Sequence, residues 1–201
     1  MGTRHSIIAI VDGETKLAQY GQWDGYLGGV GSEVLDFLKE APLDKFKEQV
    51  RTLQEMTIER RKQVLIELGA DPNKDKVPSE IAQEYFRKYP QMSRDMSAKI
   101  LPLILDGSVK DVELDANFPA DSLFCEYAYV IDFDKNTFEA YKGFNKEPLD
   151  PSERFASLPR EKETSEYYQC KLLKSFSLFD LPTEEEFLAI QKNEEEDEDV
   201  L

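Results

Sequence analysis

His5 is the only histidine in the 201-residue chain, so any histidine-based acid/base or metal chemistry must run through it. A histidine this near a terminus more commonly hydrogen-bonds or faces water than catalyses. Thirteen residues, Gln19 to Gly31, hold the only tryptophan, two tyrosines and five glycines in the order QYGQWDGYLGGVG. Aromatic side chains beside flexible backbone suit a pocket for a polar small molecule or a peptide. The candidate ligand-binding set is Arg4, Tyr20, Gln22, Trp23, Asp24 and Tyr26. If the first strand pairs with the second, Arg4 comes near the Trp23-Asp24 end of its partner, in place for a bidentate ion pair with Asp24. The plainer alternative is that Trp23 and the tyrosines pack a hairpin onto the next helix while Asp24-Gly25 makes the turn. The glycine spacing matches neither a dinucleotide fingerprint nor a P-loop, and Asp24 and Glu33 oppose an anion there.

Other chemical signals are sparse. Asp132-x-Asp134-x-Asn136 resembles the start of a calcium loop, but Thr137 stands where glycine is required and Gly143 where the closing glutamate belongs, so a hairpin turn is expected and no metal site. Cys125 and Cys170 are read as buried, inert thiols in a reduced, cytoplasmic setting. The start Met-Gly-Thr-Arg-His-Ser fits the N-myristoylation pattern, yet a terminus committed to a sheet presents Gly2 poorly, and one acyl chain on an acidic protein gives little membrane affinity. No cofactor is implied, and no catalytic set can be assembled.

The elements that must position these residues follow from patterning. SIIAIVDGETKLAQYGQW reads as two apolar strands around an Asp-Gly turn. Ser32 is expected to cap an amphipathic helix. Apolar residues then recur at helical spacing through about 43–106, with a break near Thr57, a helix from Ser79, and another from near Ser93, kinked by Pro102 and ended by Asp106-Gly107. Alternation with period two returns over Leu123 to Phe133 and Thr137 to Phe144, a second hairpin, and over Tyr167 to Leu178, a last strand with Tyr168, Cys170, Leu172, Phe176 and Leu178 on one face. Residues 145–166 read as a surface loop. The expected fold is a single α+β domain over 1–182: an antiparallel sheet of five or six strands with the helical segment packed on it. A short helix and a disordered acidic tail are expected over 183–201.

The formal charge is −16, with 41 acidic and 25 basic residues. Thr183 to Leu201 carries nine acids and one lysine, half of the excess. The acidity excludes direct nucleic-acid binding, which needs clustered Lys and Arg, and no run of about 18 apolar residues suggests a membrane span.

The opening T-R-x-x-I-x-I followed by Q-Y-x-x-W-D-G-Y-x-x-G-x-G resembles a group of uncharacterised fungal, bacterial and phage proteins with M-x-T-R starts and a W-D-G-Y-P signature, except that Leu27 stands at the proline. ADSLFCEYAYVIDFDKNTFEAYKGFN and SFSLFDLPTEEEFL are similar to the longer, fungal-type members. The resemblance implies a shared fold over most of the chain and no activity; variation at the second residue in the group weighs against both Gly2 myristoylation and a terminal nucleophile. Three functions are carried forward. The first is a binding or interaction module for a small polar ligand or protein partner around the WDGY loop. The second is a hydrolase on an N-terminal-nucleophile-like sandwich using Thr3 or Cys125. The third is an acidic inhibitor or decoy of phage-related origin.

Overall fold

The computed structural model describes residues 2–74, 76–160 and 165–190. Strands β1 (His5–Val11) and β2 (Glu14–Gly21) form the expected hairpin, closed by Asp12 and Gly13 at φ 56° and 76°. Both positive φ values are what a tight two-residue turn requires. Helices α1 (Ser32–Glu40), α2 (Leu43–Arg51), α3 (Ile58–Glu67), α4 (Ser79–Lys88) and α5 (Ile100–Leu105) follow, with a two-residue parallel pair, β3 (Gln54–Glu55) and β4 (Asp111–Val112), between them in space. Strands β5 (Tyr127–Asp132), β6 (Thr137–Lys142) and β7 (Lys171–Ser177) complete the main sheet, and a helix α6 spans 184–190. Thr183 and Glu186 cap α6 reciprocally: the Thr183 hydroxyl accepts the Glu186 N–H at 3.2 Å and the Glu186 carboxylate accepts the Thr183 N–H at 2.8 Å. Most of the acidic tail lies outside the described residues.

The sheet order is β2-β1-β5-β6-β7, which is mixed and not antiparallel as expected. The two hairpins lie side by side, and their inner strands, β1 and β5, run parallel from His5 opposite Tyr127 to Ile10 opposite Asp132. A parallel join needs a crossover, and the whole helical segment supplies it, which is why two hairpins that each look antiparallel in sequence make a mixed sheet. The ends of the hairpins are then tied together: the Asp12 and Gly13 N–H groups donate to the Asp134 carboxylate at 2.9 and 2.7 Å.

Both faces of the sheet are covered. Ile7, Ala9, Val11, Leu17, Tyr129 and Ile131 face the helices and form the larger core with Leu35, Phe46 and Leu101. Ile8, Ala18, Ala128, Val130 and Tyr141 face the other way and are covered by Phe155, with Phe118, Leu149 and Leu158 partly buried around it. Residues 145–160 are therefore a packed second layer where a plain surface loop was expected. β7 also departs from the expected one-sided strand. A register shift at Ala140/Tyr141 sets Tyr141 opposite Leu172 but Phe138 opposite Phe176, so Leu172 joins the second face while Phe176 packs with the helical core.

Arg154 fastens the second layer. Its guanidinium donates to Glu139 at 2.7 and 2.8 Å and to Asp132 at 2.6 Å, while the Tyr141 and Thr137 hydroxyls donate to Glu139 at 2.6 and 2.8 Å. Burial would raise both carboxyl pKa values, but Arg154 and the surrounding donors outweigh it and hold both below their ordinary range. Arg154→Met leaves two buried carboxylates without their cation and is expected to cost about 3–5 kcal/mol at pH 7, measured by urea denaturation. Because both folded-state pKa values are depressed, the network stabilises fully above the ordinary carboxyl range and is lost as pH falls through the depressed values. The gap between wild type and Arg154→Met is thus expected to narrow in acid.

Candidate functional site

Three segments meet at one end of the sheet: residues 2–5, the loop 21–26 after β2, and the turn 94–97 before α5. The Gly25 N–H donates to the Thr3 carbonyl at 2.9 Å, and the Gln22 N–H donates to the Arg94 carbonyl at 3.0 Å. Trp23 Nε1 donates to Asp95 Oδ1 at 2.7 Å. The loop is closed on its other side by the Val30 N–H donating to the Asp24 carbonyl at 2.8 Å and the buried Tyr129 hydroxyl donating to the Gly25 carbonyl at 2.8 Å. The coiled segment Leu27–Gly31 is kinked at Gly29 (φ −105°, ψ −112°) and enters α1 through a helical Gly31, so Ser32 is not the expected N-cap; its hydroxyl instead donates to the Leu27 carbonyl at 3.1 Å.

The glycines serve close packing. Gly21 lies directly opposite His5 in the β1–β2 register, and a Cβ there would overlap the imidazole. A Cβ on Gly25 would fall 2.7 Å from the Thr3 carbonyl oxygen and 2.8 Å from His5 Nδ1. The imidazole thus fills the space that two missing side chains leave, and it is fully buried. His5 Nε2 shares a hydrogen bond of 3.0 Å with the Ser97 hydroxyl, while Nδ1 is buried without a hydrogen-bond partner. Burial pushes the His5 pKa down to about 4, against the Thr3 carbonyl and the Asp24 charge, which favour the protonated form. Ser97 sits at φ 51°, a left-handed conformation costly for a residue with a side chain. That strained residue breaks the helix expected to begin near Ser93, leaving a turn, a short 3₁₀ segment (Ser97–Lys99) and then α5.

The six sequence candidates do not converge. Side chains on a strand alternate in direction, so Arg4 and Tyr20 point to the second face while His5 points to the helical face. Arg4 does not pair with Asp24. It reaches Glu126 at 3.3 Å and lies over the Phe124 ring at 4.8 Å, because its carbonyl accepts the Glu126 and Tyr127 N–H groups and anchors it beside β5. Tyr20 packs edge-on against Phe118, and its hydroxyl donates to Gln22 at 2.7 Å. Trp23, Asp24 and Tyr26 stay together on the loop and exposed, Trp23 by 47% and Tyr26 by 43%. Sequence reading missed Ser97 and Asp95: nothing in a helical-looking stretch announces a serine at positive φ. It set His5 aside because a strand start near the terminus looks exposed, whereas β1 is an interior strand.

Of the two proposed nucleophiles, Cys125 is not placed for use. Cys125 is fully buried, its Sγ donates to the Tyr127 carbonyl at 3.3 Å, and burial raises its pKa well above the ordinary thiol value. The Thr3 carbonyl is committed to Gly25. Asp132 of the calcium-like stretch accepts the Asp134 and Lys135 N–H groups at 3.0 and 2.9 Å and takes Arg154, which is the chemistry of a turn.

Two outcomes follow. The single imidazole is expected to titrate with a midpoint near 4 by proton NMR, and because the unfolded chain takes up that proton near 6.5, the folded state loses up to about 3 kcal/mol as pH falls from 6.5 to 4. Gly25→Ala should overpack the imidazole and cost about 1–3 kcal/mol in urea denaturation. Among the described residues no helix is long and apolar enough to cross a membrane, and no group of three His, Cys, Asp or Glu is placed to hold a metal ion. Comparison with protein-family models, with curated proteins and with solved structures gives no match to this chain.

Proposed function

We propose that this protein is a binding module whose ligand surface is the WDGY loop with the 94–97 turn, taking a small polar molecule or a peptide. The observation that carries the reading is a contrast within one loop. Its backbone is fixed from several sides by hydrogen bonds and glycine packing, while Trp23, Asp24 and Tyr26 are exposed on it. A rigid backbone presenting exposed aromatic groups loses little entropy when a ligand covers them. Tryptophan and tyrosine also offer an apolar face with a polar edge, the residue types that dominate binding energy at interfaces. Asp24 and Asp95 outnumber the exposed Arg94 of the same turn, which favours a neutral or cationic ligand over an anionic one.

Arg4, Tyr20 and Gln22 belong to the second face and are assigned no part in this surface. Selection of a random peptide library on the immobilised protein is expected to enrich binders that change Trp23 fluorescence. Trp23→Ala should weaken them about 30-fold, a loss of about 2 kcal/mol. Phe86→Ala, on exposed α4, should leave them unchanged. Enriched peptides indifferent to Trp23→Ala would contradict the assignment.

A further inference from the structure

We infer that Ser97 and His5 form a nucleophile–base pair, and that the WDGY surface therefore acts on a carboxylic ester with a neutral or cationic acyl group. The inference rests on the binding reading for the placement of its substrate. The pair comes from opposite ends of the first hundred residues and meets at 3.0 Å between Oγ and Nε2. That is within the reach a general base needs to take a hydroxyl proton. Ser97 is partly exposed, whereas the imidazole behind it is sealed from water. The strained backbone at Ser97 is held in place: its turn is pinned to the loop through the Arg94 carbonyl and through Asp95 on Trp23. Strain kept by surrounding structure is characteristic of residues that must present a side chain in one orientation.

The neutral imidazole that burial enforces is the form able to accept a proton. The Thr3 carbonyl and, less strongly, the Asp24 carboxylate favour the protonated ring and offset part of the burial cost as the imidazolium forms. The reaction balances without a cofactor. Ser97 Oγ attacks the ester carbonyl carbon and its proton passes to His5 Nε2. The tetrahedral intermediate collapses, the C–O bond to the leaving alcohol breaks, and the alkoxide takes the proton from Nε2, leaving an acyl-serine. Water then attacks that acyl group, giving its proton to His5, and Ser97 Oγ departs with the same proton, releasing the carboxylic acid. Trp23, joined to Asp95 two residues before the nucleophile, supplies the apolar surface against which the acyl group rests.

A biotinylated alkyl fluorophosphonate tests the pair, since the serine displaces fluoride from phosphorus and the adduct is located by peptide mass spectrometry. A single adduct on Ser97 is expected, absent in Ser97→Ala, at least tenfold slower in His5→Gln, and unchanged in Ser157→Ala, an exposed residue of the second layer. Circular dichroism establishes that each variant is folded. If His5→Gln does not fold, the wild-type labelling rate between pH 6 and 8 decides: a neutral His5 base gives a constant rate, whereas an unassisted serine gives one that rises about tenfold per pH unit. No adduct, an adduct elsewhere, or Ser97 labelling as fast in folded His5→Gln as in wild type overturns the inference. Absent labelling with an intact Trp23 fluorescence response to selected peptides removes catalysis alone and leaves the binding reading standing.

Discussion

The parallel pairing of β1 with β5 is the constraint on which the remaining structure depends. It places the first strand inside the sheet, between β2 and β5, and so commits every side chain from His5 to Val11 to one of two covered faces. The helical crossover exists to reach that pairing, and the side it packs on becomes the larger core. The second face then needs its own cover, which residues 145–160 provide and the Arg154 network secures. His5 is buried for the same reason: at the first position of an interior strand, opposite Gly21, its ring has nowhere to go but inward.

Burial of that ring organises the surrounding loop. Gly21 and Gly25 leave room for the imidazole, Gly25 reaches Thr3, and the turn before α5 closes over the ring with Ser97. A neutral histidine then sits beneath a partly exposed serine, next to the only tryptophan. The negative charge that dominates the composition has little share in this arrangement beyond Asp24 and Asp95; half of it belongs to the C-terminal nineteen residues.

Local signals in the sequence foretold local structure. Asp12-Gly13 predicts its hairpin, Ser79 marks the start of α4, and Thr57 marks the break before α3, whose first turn it caps by accepting the Arg60 N–H at 3.2 Å. What was not legible is nonlocal. Alternation shows which residues of a strand share a face but not which strand lies alongside, so β1–β5 pairing and the mixed sheet were out of reach. The same gap divided the six site candidates: Arg4 and Asp24 are near in sequence register yet face opposite sides. Ser97 was hidden because positive φ is ordinarily betrayed by Gly or Asn, and here a serine carries it.

The central claim is that His5 Nε2 holds a lone pair toward the Ser97 hydroxyl. Long-range proton–nitrogen correlation NMR on the folded protein at pH 7 reads the tautomer of the one imidazole directly. The account predicts a proton on Nδ1, favoured by the Thr3 carbonyl although no tight hydrogen bond joins the two, and an unprotonated, pyridine-like Nε2 accepting from Ser97. A protonated Nε2, donating to Ser97 in place of accepting from it, would contradict the account.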